Sequence, residues 1–311
     1  MTIAGQDCPN LEKVVAAIGE KSPFQKKSTN RYIENADATF VTFAEDWVTR
    51  LLEARGEEGT FDKLAQDYIW YTKLIRIEEM HFAKHQDYRY SDYQEVYERV
   101  YGRDDYMLDY VTGLGMTQLF WANHYGIVRF YLDKFIPRIK DAKAGAEVGV
   151  GHGLFHSEML RGAPNMTSSM LDVSNSSLSF TRGVVAATGL DPERATPKKG
   201  DIQKDIPVDD GALDVLLFGE VIEHLEKGEE VFADLVKKMA PGGQCFFTTA
   251  CNAPAEDHIL LFRTVQEVHD VIAKAGWKIE DEYTATLGDM SIEQAEKEGQ
   301  NINYAAILTV A

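Results

Sequence analysis

Glu147-Val-Gly-Val-Gly-His-Gly153 decides the fold. Glycines at alternate positions let the backbone turn sharply and approach a ligand without Cβ clashes. They stand between the apolar run Ala146 to Val150 and a segment of helical character, so the stretch reads as a strand, a turn and a helix N-terminus. A dinucleotide fingerprint needs a further glycine three residues after the second one, and position 154 is Leu. Glu147, at the strand end, is ill placed beside a pyrophosphate and well placed beside a cationic ligand.

From Gly145 onward, short apolar runs alternate with segments of helical length, the pattern of a doubly wound parallel sheet. Seven strands are expected: Ala146–Val150, Ser169–Val173, Ala195–Lys199, Val215–Gly219, Cys245–Thr249, Lys278–Tyr283 and Tyr304–Val310. Val231, Leu235 and Met239 mark one helix, stopped by Pro241-Gly242-Gly243; Val265, Val268 and Ile272 mark another, ending at Ala275-Gly276-Trp277. Residues 1–140 read as successive helices instead. Trp47 and Leu51, then Leu64, Tyr68 and Tyr71, then the stripe Phe120, Ile127, Tyr131 and Phe135 carry that reading. The charged stretch Pro137 to Lys143 is the expected boundary, giving a helical lobe over 1–140 and an α/β domain over 141–311. The first 30 or so residues, polar and Lys-rich, are expected to form a loosely held arm.

A net charge of -18 is unevenly spread, with 14 basic and 28 acidic side chains in residues 141–311. Such a surface repels phosphate backbones, which excludes DNA and RNA as substrates. No apolar run is long enough to span a membrane, and Cys8, Cys245 and Cys251 form no disulfide framework, so a soluble cytoplasmic protein is expected. Homo-oligomerisation stays open. Eleven of the 14 tyrosines fall between Tyr68 and Tyr131, too dense for solvent exposure, so this region is expected to pack over something.

Several ordered motifs from about residue 140 onward resemble the class I S-adenosylmethionine-dependent methyltransferases. The resemblance implies a seven-stranded Rossmann-like sheet with S-adenosylmethionine as cosubstrate. The loop from Glu147 through Gly149, Gly151 and Gly153 matches the family's first motif, which cradles the methionine part. Asp172, 19 residues past Gly153 and followed by Val173, stands where an acid accepts both ribose hydroxyls. Asp201 and Ile202 inherit the adenine contacts, and Gly219-Glu220-Val221-Ile222-Glu223-His224 resembles the motif that opens onto the transfer cleft. The resemblance does not reach residues 1–140, where substrate choice is usually encoded.

Methyl transfer from a sulfonium is an in-line displacement, so alignment and exclusion of water outweigh proton transfer. Glu220, His124 and His224 are the candidate catalytic groups; His224 and His124 read equally as structural histidines. Trp121, Asn123, His124 and Tyr125 form the most chemically dense part of the helical lobe and are the candidate substrate contacts. The tyrosines could surround a sulfonium through ring faces and hydroxyls, or form ordinary aromatic core. His152 and His156 flank the glycine loop, where they begin a helix or touch the cosubstrate's carboxylate. Glu78, His81 and His85 share a helix face, but nothing completes a metal set, and no metal is expected. The leading expectation is a small-molecule methyltransferase of natural-product metabolism. Two alternatives stand beside it: a cyclase resembling azetidine-2-carboxylate synthases, releasing methylthioadenosine, and a non-catalytic cofactor-binding module.

Overall fold

The computed structural model describes residues 2–3, 5–34, 36–286, 288 and 290–311. Seven strands form one sheet: β1 (Ala144–Val148), β2 (Thr167–Asp172), β3 (Ala195–Lys199), β4 (Leu213–Gly219), β5 (Met239–Cys251), β6 (Trp277–Thr286) and β7 (Ile302–Val310). Their order is β3-β2-β1-β4-β5-β7-β6. The pairs from β3 across to β5 are parallel, whereas β7 runs antiparallel to both β5 and β6. An all-parallel sheet was the expectation. The connection from β6 to β7 carries the short helix Ile292–Glu298 and makes no crossover to the opposite end of the sheet, so the chain returns in the reverse direction.

The N-terminal region supplies α1 (Pro9–Lys21), α2 (Pro23–Glu34), α3 (Ala38–Ala54), α4 (Phe61–His85), α5 (Tyr93–Val96), α6 (Asp104–Phe120) and α7 (Ala122–Phe130). The loosely held arm is overturned. Leu11, Val14 and Ile18 of α1 are fully buried, and the Glu45 carboxylate accepts from the backbone N–H of Asn10 and Leu11. Lysine content masked this apolar spacing of three and four residues. The expected stripe from Phe120 to Tyr131 is likewise broken, because Trp121 is extended (φ -111, ψ 117) between α6 and α7. The break turns α7 onto β6 and β7.

Within the sheet domain, α8 (Leu154–Gly162), α9 (Asn175–Ala187), α10 (Gly228–Lys238) and α11 (Val265–Lys274) connect the strands. Met239, expected as a helix residue, already pairs with Leu213 as the first residue of β5. Val215 then pairs with Gln244, so Pro241-Gly242-Gly243 is an excursion within the strand and not a stop between elements. The Thr264 hydroxyl and the Glu267 carboxylate close a capping box at the start of α11.

The helical cover is bound firmly to the sheet domain. Helices α3 and α6 both pack on α9, and Arg50 of α3 reaches Glu158 of α8 at 2.6 Å. Buried Arg55 ties α3 to Asp67 of α4 (3.1 Å) and Asp109 of α6 (3.0 Å). Trp47 is fully buried; its indole N–H donates to the Gly115 carbonyl at 2.8 Å, and its ring meets His152 of the glycine loop edge-on. Replacing Trp47 by Ala should therefore destabilise the protein by about 3–5 kcal/mol, the range for emptying a packed Trp site. Urea denaturation measures this, and a loss below about 1 kcal/mol would show that the contact is dispensable.

Candidate active site

Strand β1 ends at Val148 and the backbone then enters the left-handed region at Gly149 (φ 70) and Gly153 (φ 75). A Cβ at Gly149 would lie 2.5 Å from Val221 Cγ2, and one at Gly153 2.9 Å from the Thr181 backbone. The glycines are thus required both by conformation and by close approach. The turn opens a cavity beyond the C-terminal ends of β1, β2 and β4, where ligands bind in open α/β sheets.

Most of the expected cofactor residues meet there. Glu147, Gly149, Gly151, Asp172, Val173, Asp201, Ile202, Gly219 and Glu220 all line the cavity. Gly153 does not; it lies beneath the loop as the N-cap of α8, against Thr181. The opposite wall comes from the helical region, with Tyr71, Tyr93, Tyr101, Tyr110, Trp121 and His124. Of the expected substrate contacts, Trp121 and His124 face this space. Asn123 donates instead to the Asn303 side chain at 2.6 Å, which itself borders the cavity. Tyr125 faces a separate pocket with Tyr32 and Phe40. Trp121 is extended ahead of α7, so its side chain leaves the backbone in a direction unrelated to the helix face that carries Tyr125.

The site is electrostatically tense. Burial, with Asp172 nearby, pushes the Glu147 carboxyl well above the usual range. Its Oε2 lies 3.0 Å from His156 Nδ1, and His156 Nε2 lies 2.8 Å from Ser168 Oγ. Burial pushes His156 down to about 3, so it is neutral and belongs to the interior, away from any ligand. His152 does face the cavity; its Nδ1 accepts from the Leu154 N–H, and burial lowers it to about 3. Asp172 Oδ1 accepts from the Ser174 N–H at 2.8 Å, yet burial still raises the carboxyl to about 6.

Glu220 follows β4 with φ 50, a conformation a non-glycine residue rarely adopts, and its N–H is held by the Thr248 carbonyl at 2.9 Å. Its Oε1 is buried and has no hydrogen-bond partner, and burial raises the carboxyl. His124 Nδ1 lies 2.8 Å from the Thr117 hydroxyl and 3.2 Å from the Gln118 amide nitrogen. With Nδ1 accepting from Gln118, Nε2 carries the hydrogen, and burial lowers the ring to about 4. His124 is thereby a neutral donor and poorly suited to act as a base. His224 Nδ1 lies 3.0 Å from the Tyr101 hydroxyl and 2.9 Å from the Asp257 carbonyl.

The Asp257 side chain was not anticipated. It accepts from the Tyr101 hydroxyl (3.0 Å) and the Tyr110 hydroxyl (3.0 Å), joining the loop after β5 to the helical wall. Burial raises both phenols well above their ordinary value, so they stay neutral donors. The sequence signal was the polar triplet Glu256-Asp257-His258 in the loop after β5. Glu78 of the expected weak metal face is instead paired with Arg89 at 2.9 Å.

Residues 146–247 match the family model described as a methyltransferase domain. That stretch carries the methyltransferase-domain signature. Mitomycin 7-O-methyltransferase is similar in structure at 11% identity and a TM-score of 0.53, covering 80% of this chain and 71% of that one. A Haloferax volcanii methyltransferase complexed with the Trm112 activator gives 13% and 0.51, covering 67% and 96%. Haemonchus contortus phosphoethanolamine N-methyltransferase 2, in complex with S-adenosyl-L-methionine, gives 13% and 0.50, covering 71% and 60%. Identities this low show the fold alone, a Rossmann-like methyltransferase fold. No curated protein matches the chain in sequence. No described helix is long and apolar enough to cross a membrane.

A raised Asp172 favours the protonated folded state, so its contribution to stability is present below about pH 4 and is lost as pH rises through about 6. Asp172→Asn keeps the acceptor for Ser174 and removes the buried charge. The variant should melt higher than the parent at pH 7, with the gap closing below pH 4; thermal melts across that window test it, and a gap independent of pH would refute the assignment.

Proposed function

We propose that the chain is a cytoplasmic S-adenosylmethionine-dependent methyltransferase acting on a small molecule, in natural-product or secondary metabolism. One observation carries the reading: the glycine loop, Asp172, Asp201 and Glu220 converge on a cavity roofed by tyrosines from the helical region. Such a space suits an enclosed small acceptor better than a polymer. The net charge of -18 points the same way.

The residues fit the cosubstrate. Glycines 149 and 151 leave room for close backbone approach, and Asp172 is placed to accept from a ribose diol. The buried Glu220 Oε1 offers negative charge toward a sulfonium and ammonium. The bound cosubstrate supplies an electrophilic methyl group. This chain orients it through the loop and strand ends, excludes water with the Trp121 and tyrosine wall, and holds an acceptor in line from the helical side. Glu220 is the group placed to take a proton from an acceptor hydroxyl or ammonium, its raised affinity for protons matching that task. His124, a neutral N–H donor, positions the acceptor.

A second reading has its own support. Tyr71, Tyr101, Tyr110 and Asp257 occupy the side of the cavity opposite the glycine loop with a network of their own, which suits a reaction that needs no second substrate. In that reading the cosubstrate's amine attacks its own γ-carbon and methylthioadenosine leaves.

Mass spectrometry of the protein with S-adenosylmethionine, alone and with a panel of phenols, amines and carboxylates, separates the readings. Acceptor-dependent S-adenosylhomocysteine is expected; methylthioadenosine without an acceptor would replace methyl transfer by cyclisation, and tight binding with neither product would mark a silent binding module. Asp172→Asn should weaken S-adenosylmethionine binding by about tenfold or more, as measured by calorimetry, a charged acceptor being worth 1.5–3 kcal/mol.

A further inference from the structure

The turn after β4 and the loop after β5 bring one carboxylate and two imidazoles to a single point. Ligand atoms of Glu223, His224 and His258 lie within 4.8 Å of one another. The juxtaposition is built by the backbone: the Glu223 carbonyl accepts from the N–H groups of both Ile259 and Leu260 at 2.9 Å, so the loop bearing His258 is fastened to the turn bearing Glu223. The two imidazole rings stand 4.7 Å apart, nearly perpendicular.

These side chains are only partly satisfied within the protein. Glu223 is fully buried; its Oε2 accepts from the Thr249 hydroxyl at 3.0 Å, while Oε1 has no partner. His258 is 8% exposed and its Nδ1 is also buried without a partner. Glu220, in hydrogen-bond contact with Glu223, adds a second oxygen that no protein donor faces. Two adjacent buried carboxylates are costly unless a cation or a shared proton lies between them. His224 has the form of an oriented ligand: Nδ1–H faces the Asp257 carbonyl, leaving the lone pair on Nε2, and the Thr249 hydroxyl orients the Glu223 carboxylate in the same way.

We propose that Glu223, His224 and His258, with Glu220 beside them, bind a divalent first-row transition-metal ion. The mixed imidazole and carboxylate set favours Zn²⁺, Mn²⁺, Fe²⁺ or Co²⁺ over Mg²⁺ and Ca²⁺, which prefer oxygen alone. Since Glu220, His224 and His258 border the cavity, the ion presents its open side to that space. This site departs from the sequence expectation of no metal, because His258 joins the other two only through the fold.

The test uses the full chain, treated with a chelator, dialysed and titrated with Co²⁺, whose visible d–d absorption reports ligation. One Co²⁺ per chain is expected, displaceable by Zn²⁺, with Glu223→Gln and His258→Asn each weakening it by about tenfold or more. The stacked surface pair His81 and His85, 4.4 Å apart, is the competing cobalt site, so the double variant His81→Asn/His85→Asn must retain the signal. Circular dichroism checks the fold of each variant; if Glu223→Gln does not fold, His258→Asn and the surface variant decide. Loss of binding only in the surface variant, or affinity weaker than about 1 mM for both ions, overturns the proposal and leaves a proton shared by Glu220 and Glu223. Calorimetry with S-adenosylmethionine is run separately, so failure of the metal site and failure of the transferase reading are distinguished.

Discussion

Acidic side chains held away from water at the carboxyl ends of parallel strands are the constraint on which the rest of the structure depends. Glu147 stands one residue before the end of β1 and Asp172 ends the neighbouring strand β2, and the Asp172 charge adds to the cost of ionising Glu147. The fold meets that cost locally. His156 and Ser168 line up behind Glu147, and backbone N–H groups of the loop and of the turn before α9 point at Asp172. Glycines without Cβ atoms are what allow those N–H groups to come so close.

The helical cover answers the same constraint from the other side. Its phenols are neutral at physiological pH, so they line the cavity without adding charge to a space already rich in carboxylates. Their hydroxyls are spent on Asp257 and their rings on one another: Tyr71 meets Tyr110 edge-on, and Tyr106 stacks near Tyr110. Aromatic core and cavity wall are therefore the same residues here.

Much of the sheet was legible because its signals are local. An apolar run bounded by glycine or an acid marks a buried parallel strand wherever it stands, and the expected Val215–Gly219 falls within β4. The glycine loop and the acids at 147, 172, 201 and 220 share that property, since each occupies a strand end that the sequence itself defines. What escaped was non-local or was outweighed by composition. Three buried residues of α1 were hidden among lysines, and the reversal of β7 leaves no trace in a strand whose two faces are both covered. Trp121 looked helical because its neighbours are. Asp257 and His258 acquire meaning only when Tyr101, more than 150 positions earlier, arrives beside them.

Strand β7 lies between β5 and β6, which precede it in the chain, and its residues Ile302 to Leu308 are wholly enclosed. Until it arrives, β5 has no neighbour on one side and β6 has none at all, so two open edges must wait for a single late segment. Such a topology makes closure of the sheet one cooperative, long-range event, and leaves the nascent chain with sticky borders during its synthesis. The order of assembly, as much as the finished geometry, is written into where that strand is threaded.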